Sequence, residues 1–280
     1  MTRRTIWRRL FGTLTVGRMV RSLLFIYLAL GFYGFFFADD LIFRPSPSSY
    51  GDTQEITKLT TANGARISAL HLPNPQAAYT LLYSHGNGED LGDVRPILEQ
   101  IRKIGFAIFA YDYQGYGTSE GTPSEQNAYR DIDAAYRHLL VNLKRSPQQI
   151  ILYGRSVGGG PSVDLARREP VAGLILESTF TSAFRVMTTI PLYPFDRFNN
   201  IGKIGAVHCP VLIIHGTRDR VIPLWHSQEL FKRANEPKRF FAVEGADHNN
   251  VMEVAGEHYS RAMREFAQLV NFSQPEKPEA

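Results

Sequence analysis

From residue 55 onward, short unbroken apolar runs alternate with segments of helical length. The runs Tyr79–Ser84, Phe106–Tyr111, Ile150–Tyr153, Val171–Leu176, Val211–Ile214 and Phe240–Val243 are apolar almost throughout rather than at every second position. Strands of a parallel sheet have that pattern, because helices bury both of their faces. Leu91–Lys103, Pro123–Lys144, Val157–Arg168, Leu224–Ala234 and Val251–Val270 predict the covering helices. Upstream, Ile56–Thr61 and Arg66–Leu72 flank Asn63-Gly64, a hairpin signal that predicts an antiparallel opening. Residues 51–272 therefore read as one α/β domain, a mostly parallel eight-stranded sheet flanked by helices. Glu177–His208, after the sixth strand, predicts a short cap rather than a full lid domain.

The first fifty residues follow another pattern. Residues 1–21 hold Arg3, Arg4, Arg8, Arg9, Arg18 and Arg21 and no acid; the other 25 Lys and Arg face 27 Asp and Glu. The net charge of +4 and pI near 9.1 therefore reside in the N-terminus. A nucleic-acid binder carries its positive charge on the folded domain, so that class is excluded. Leu23–Ala38 is an apolar run of about 24 Å as helix, extended by Met19, Val20 and Ser22 toward the ~30 Å of a bilayer core. A cleaved signal peptide needs a small-x-small site after the run, which instead ends Phe35-Phe36-Phe37-Ala38-Asp39. A buried core helix does not account for six preceding arginines. An uncleaved transmembrane signal anchor over 22–38 accounts for both, with the N-terminus cytoplasmic and the domain on the far, periplasmic or lumenal side. Residues 39–50, with Pro45 and Pro47 among serines, predict a linker between anchor and domain, and 273–280 a disordered tail. The single Cys209 excludes an intramolecular disulfide and a multi-thiolate metal site.

In a parallel sheet, chemistry concentrates beyond the carboxyl ends of the strands. Gly154-x-Ser156-x-Gly158 stands where one strand ends and a helix begins. That is the context of a nucleophile elbow, a strained turn that exposes a serine oxygen. The structural alternative for Ser156 is a helix N-cap. A serine needs a base, and the base needs an orienting acid. Asp219 and His248 follow later strands in the chain order Ser, acid, His. Asp219 otherwise reads as a turn residue before Pro223, and His248 as a loop histidine. Asp247 is a rival acid on the histidine's own loop. His85 and His215 lie at the same edge but precede glycine turns and read as backbone supports, as does Asp112; His71, His138, His208, His226 and His258 lie elsewhere. An oxyanion needs two backbone N–H donors, for which Val157 and Asn87 are the candidates. No metal or organic cofactor is implied.

Five segments carry a resemblance: SHGNGEDLG (84–92), FAYDYQGYGTSEG (109–121), YGRSVGGGPSVDLA (153–166), CPVLIIHGTRDRVIP (209–223) and VEGADHNN (243–250). Residues 50–272 resemble the α/β-hydrolase fold, in particular the membrane-linked serine hydrolases that include the protein depalmitoylases and their bacterial relatives. The resemblance implies Ser156, Asp219 and His248 as catalytic, with Asn87 and Val157 as oxyanion donors. One departure is visible: those depalmitoylases attach through a cysteine-rich N-terminus, whereas this chain carries an apolar helix there. The expected activity is hydrolysis of an ester or thioester acyl substrate, a lipid or lipidated protein among the options. A peptidase or amidase on the same triad and a non-catalytic binding module are the alternatives. The cap aromatics Phe180, Phe184, Tyr193, Phe195 and Phe198, with Met187, Pro191 and Pro194, either pack the cap onto the sheet or line an acyl groove.

Overall fold

The computed structural model describes residues 15–273, and the chain divides into two compact units at Leu41/Ile42. The first unit is dominated by helix α1 (Val16–Ile42), which contains the predicted span and is interrupted only at Phe37 (φ −117°, ψ 15°). Large side chains at six consecutive positions, Leu23–Leu28, are all exposed, so the helix is apolar around its full circumference. Water does not solvate such a surface well, and α1 is long and apolar enough to cross a membrane. Most of the predicted basic segment (1–14) and of the predicted tail (274–280) lies outside the described residues.

The second unit is built on a single eight-stranded sheet. Its strands are β1 (Ile56–Thr60), β2 (Arg66–Leu72), β3 (Thr80–Ser84), β4 (Ala107–Tyr111), β5 (Ile150–Arg155), β6 (Gly173–Glu177), β7 (Val211–Gly216) and β8 (Lys238–Val243). The order is β1-β2-β4-β3-β5-β6-β7-β8; the β1–β2 and β2–β4 pairings are antiparallel and all others parallel. Alternate side chains feed two cores: Leu82, Phe109 and Leu152 pack on one face, Leu81, Ile108 and Ile151 on the other. Helices α3 (Glu125–Val141), α4 (Gly159–Arg168) and α6 (Trp225–Arg233) cover the first face. Helices α2 (Leu91–Ile104) and α8 (Glu257–Ser273) cover the second. Two short helices complete the fold, α5 (Asn200–Lys203) in the cap and α7 (Val251–Ala255) before α8.

Three local features differ from the sequence reading. β5 runs two residues further, through Gly154 and Arg155, and a three-ten turn over Ser156–Gly158 intervenes before α4. The final helix breaks into α7 and α8 at Gly256, whose φ of 52° and ψ of −126° an ordinary residue resists.

The predicted linker is the third correction: all but its first three residues, from Ile42 on, belong to the domain. Phe43 is buried with its ring edge-on to those of Tyr113, Tyr116 and Phe198. The Ser49 N–H and hydroxyl both donate to Asp90, and the Tyr50 hydroxyl donates to Asp112 at 2.6 Å. Proline and serine exclude a helix here, but the chain docks as an extended strap. A chain starting at Ile42 should therefore keep the melting temperature of the hydrolase unit, and one starting at Gly51 should melt well below it. Phe43→Ala should cost about 3 kcal/mol in chemical denaturation, as truncation of a buried phenylalanine does. Equal stability of the two truncations would show that the strap contributes nothing.

Candidate active site

The carboxyl ends of β3, β5, β7 and β8 lie along one edge of the sheet, and each supplies part of the site. At the end of β5, Ser156 has a φ of 53°, a left-handed conformation costly for any residue with a side chain. Close packing holds it there. A Cβ on Gly158 would lie 2.1 Å from the Ser84 carbonyl oxygen, and one on Gly154 would lie 2.5 Å from that of Gly158. Only glycine lets the elbow press against β3 and against itself. From the other side, the Thr179 hydroxyl donates to the Ser156 carbonyl at 2.8 Å.

Opposite the serine, His248 Nε2 lies 3.1 Å from Ser156 Oγ, and its Nδ1 lies 2.7 Å from Asp219 Oδ2. All three residues are largely buried. Asp219 is fixed through its other oxygen, which accepts the backbone N–H groups of Val221 (2.9 Å) and Ile222 (2.8 Å). Its Oδ2 also faces His215 Nε2 at 3.3 Å. Burial alone would raise the ionisation of this carboxyl; hydrogen bonds from His215 and His248 outweigh it and hold Asp219 well below the usual carboxylate range. The rival acid Asp247 points elsewhere, accepting the backbone N–H of His248 at 2.8 Å and of Arg220 at 3.2 Å.

The other histidines of this edge each have at least one ring nitrogen engaged, and the buried Nε2 of His226 has no hydrogen-bond partner. His215 joins Ser227 Oγ (2.6 Å) and the Ile222 carbonyl (2.8 Å), so it braces the turn that carries Asp219. His85 Nδ1 meets the Gly86 carbonyl at 2.7 Å, and its Nε2 lies 3.3 Å from Asp112. Asp112 itself accepts the Leu91 N–H at 2.9 Å at the start of α2. His226 is buried against Trp225, and its Nδ1 accepts the Thr181 N–H at 3.2 Å. Burial first, then His215 and Arg185, push its ionisation down to about 4, so its ring is neutral.

Val157 follows the serine at the first turn of a helical segment, where backbone N–H groups have no partner within the helix. Asn87 lies on the turn after β3 that abuts the elbow. Its side chain is a clamp: Oδ1 accepts the Arg44 N–H (2.8 Å) and the Tyr116 hydroxyl (2.6 Å), and Nδ2 donates to the Ile42 carbonyl (2.6 Å). Sequence reasoning missed this strap and also Arg155, the residue before the nucleophile, which lies buried between Glu89 and Glu177. The available signal was charge: an arginine at a motif position that reads as freely variable, and a glutamate two residues after Asn87.

The cap packs onto the sheet through part of its aromatic set. Phe180 and Phe198 are buried packing residues, and the base is closed by Asp196, which accepts the Ser182 hydroxyl (2.6 Å) and the Phe184 N–H (2.8 Å). At its tip Met187, Ile190 and Leu192 are exposed. Among the described residues no cluster of three His, Cys, Asp or Glu side chains could hold a metal ion.

Ser156 at the elbow, the His248 imidazole and the Asp219 carboxylate thus stand in one hydrogen-bonded series. The family profile described as "Serine aminopeptidase, S33" matches residues 75–194. Among solved structures, an esterase of Pyrococcus furiosus superposes with a TM-score of 0.70 at 17% identity, covering 82% of this chain and 98% of its own. The esterase domain of a Rhodothermus marinus protein does so at 0.59 and 21% identity, covering 75% and 97%. At that distance the likeness establishes the α/β-hydrolase fold. Alpha/beta hydrolase domain-containing protein 17B of Xenopus tropicalis is 45% identical over 226 residues, 79% of this chain and 78% of that protein. The human 17B protein is 44% identical over 225 residues with the same coverage. The chain belongs to the alpha/beta hydrolase domain-containing protein 17 family of serine hydrolases.

Proposed function

We propose that this protein is a membrane-anchored hydrolase that cleaves carboxylic ester or thioester bonds of acyl substrates through Ser156, His248 and Asp219. The observation that carries the reading is the unbroken hydrogen-bonded series from Ser156 Oγ through His248 to Asp219, at 3.1 and 2.7 Å. His248 Nε2 takes the hydroxyl proton as Oγ attacks the acyl carbonyl. Asp219, fixed by two backbone N–H groups, keeps Nδ1 protonated and stabilises the imidazolium. The backbone N–H groups of Val157 and Asn87 receive the oxyanion. Collapse expels the alcohol or thiol, which takes the proton from His248, and water then releases the acid from Ser156 by the same steps in reverse.

α1 is the anchor, and the arginines before its apolar stretch put the N-terminus in the cytoplasm and the hydrolase unit on the far side. The exposed Met187, Ile190 and Leu192 suit an apolar acyl chain, so a lipid or lipidated protein is the favoured substrate class. The aminopeptidase description of the matching profile favours amide hydrolysis as the second reading. A panel of p-nitrophenyl esters of increasing chain length, run beside matching anilides, separates the two.

Ser156→Ala and His248→Ala should each lower kcat by roughly 10⁴–10⁶-fold in protein that still folds, since such residues act as a unit. Asp219→Asn should cost about 10³–10⁴-fold. Fluorophosphonate should label the wild type and not Ser156→Ala. Near-full activity in His248→Ala would remove it as the base.

Asp219 also carries a pH signature. Its folded ionisation lies below the unfolded value of 3.8, so the stability it contributes is complete above that pH and drains away as acid protonates it. The melting-temperature gap between wild type and Asp219→Asn should therefore be constant at pH 5–7 and shrink below about pH 4. A gap independent of pH would show that the carboxylate is not held by those hydrogen bonds.

A further inference from the structure

Arg155 ends β5 immediately before Ser156, in register with Glu177 of β6, and its side chain is 5% exposed. One guanidinium reaches three segments of the catalytic edge. Nη1 is paired with Glu89 Oε1, Nη2 donates to Asn249 Oδ1 at 2.8 Å, and Nε lies 3.5 Å from Glu177 Oε1. Each partner leads to the site. The second oxygen of Glu89 accepts the Gly86 N–H at 3.0 Å, on the turn that carries Asn87. Asn249 adjoins His248. Glu177 is held in place by the hydroxyls of Tyr153 (2.6 Å) and Tyr259 (2.8 Å).

We infer that Arg155 is a positioning residue, which holds the turn of Asn87 and the loop of His248 in fixed register with Ser156. The inference rests on the serine-hydrolase reading above and deepens it. A guanidinium is a rigid planar fork, so the directions to its partners are fixed relative to one another; a lysine in its place supplies charge without that geometry. Stability alone is a poor account of the cluster. It buries one cation among two carboxylates, and buried ion pairs are often no more stabilising than apolar residues of the same volume. Asn249 makes the point more sharply, because it is exposed and its bond to the buried arginine crosses 94 residues of sequence. Anchoring an exposed loop residue next to the base does little for the core and much for the placement of the imidazole.

Loss of register acts on the transition state, where the oxyanion donor and the base must be aligned together, more than on substrate binding. On a short p-nitrophenyl ester, Arg155→Lys and Arg155→Gln should lower kcat about 10–100-fold with KM changed less than about threefold. Asn249→Ala should lower kcat about 3–10-fold, and the Arg155→Gln/Asn249→Ala double variant should be no slower than Arg155→Gln alone. Inhibition by a phenylboronic acid, whose tetrahedral adduct with Ser156 uses the same donors, should weaken in step with kcat; a purely structural role would leave it unmoved in folded protein. All rates are compared in the full-length protein well below each variant's melting temperature, and Asn249→Ala decides the matter if Arg155→Gln does not fold. With Ser156→Ala inactive, full kcat in Arg155→Lys and Asn249→Ala, or additive losses in the double variant, would overturn the inference while leaving the serine reading intact. Activity retained in Ser156→Ala would overturn both.

Discussion

The catalytic edge is organised around one strained residue. Ser156 occupies a left-handed conformation that costs of order 1–3 kcal/mol, and such a conformation persists only where its surroundings over-determine it. Here they do so by contact. The elbow presses on the Ser84 and His85 carbonyls through Gly158, on its own first turn through Gly154, and is held by Thr179 from the loop after β6. The serine oxygen is therefore lifted out of the sheet at a position fixed by the three central strands. Both faces of those strands are buried.

The acid and the base are positioned differently, on loops rather than in a strained turn. Asp219 is held by an Asx-type turn to its own downstream backbone and braced by His215, so its carboxylate is oriented without reference to Ser156. His248 then connects two independently built parts. Its ring has little choice of orientation once Asp219 accepts from Nδ1, because Nε2 must then face the serine. The division is economical: one strained residue fixes the nucleophile, and ordinary hydrogen bonds orient the rest.

Much of this edge was legible in the sequence because it depends on local rules. Ser156 and Asp219 stand just beyond buried apolar runs and His248 beyond the half-exposed edge strand β8, and glycines mark where the backbone must turn. What was not legible depends on side chains meeting across long separations. Arg155 occupies a motif position that tolerates any residue by sequence, and only the two-residue extension of β5 places it beneath the edge. The stretch around Pro45 and Pro47 is correctly non-helical, yet composition cannot distinguish a free linker from a docked strap; Phe43 and Tyr50 make the difference by finding Phe198 and Asp112. The break at Gly256 was missed because the apolar spacing continues on either side of it, so periodicity alone reads through the glycine.

Two of these features, Arg155 and the strap, converge on one turn. The segment Gly86–Glu89 is held from within by Arg155 through Glu89 and from without by the strap through the side chain of Asn87. The chain thus enters the hydrolase unit beside the turn after β3, not beside Asp219 and His248. The Asp219–His248 bond does not depend on that turn, because Asp219 is braced from its own loop.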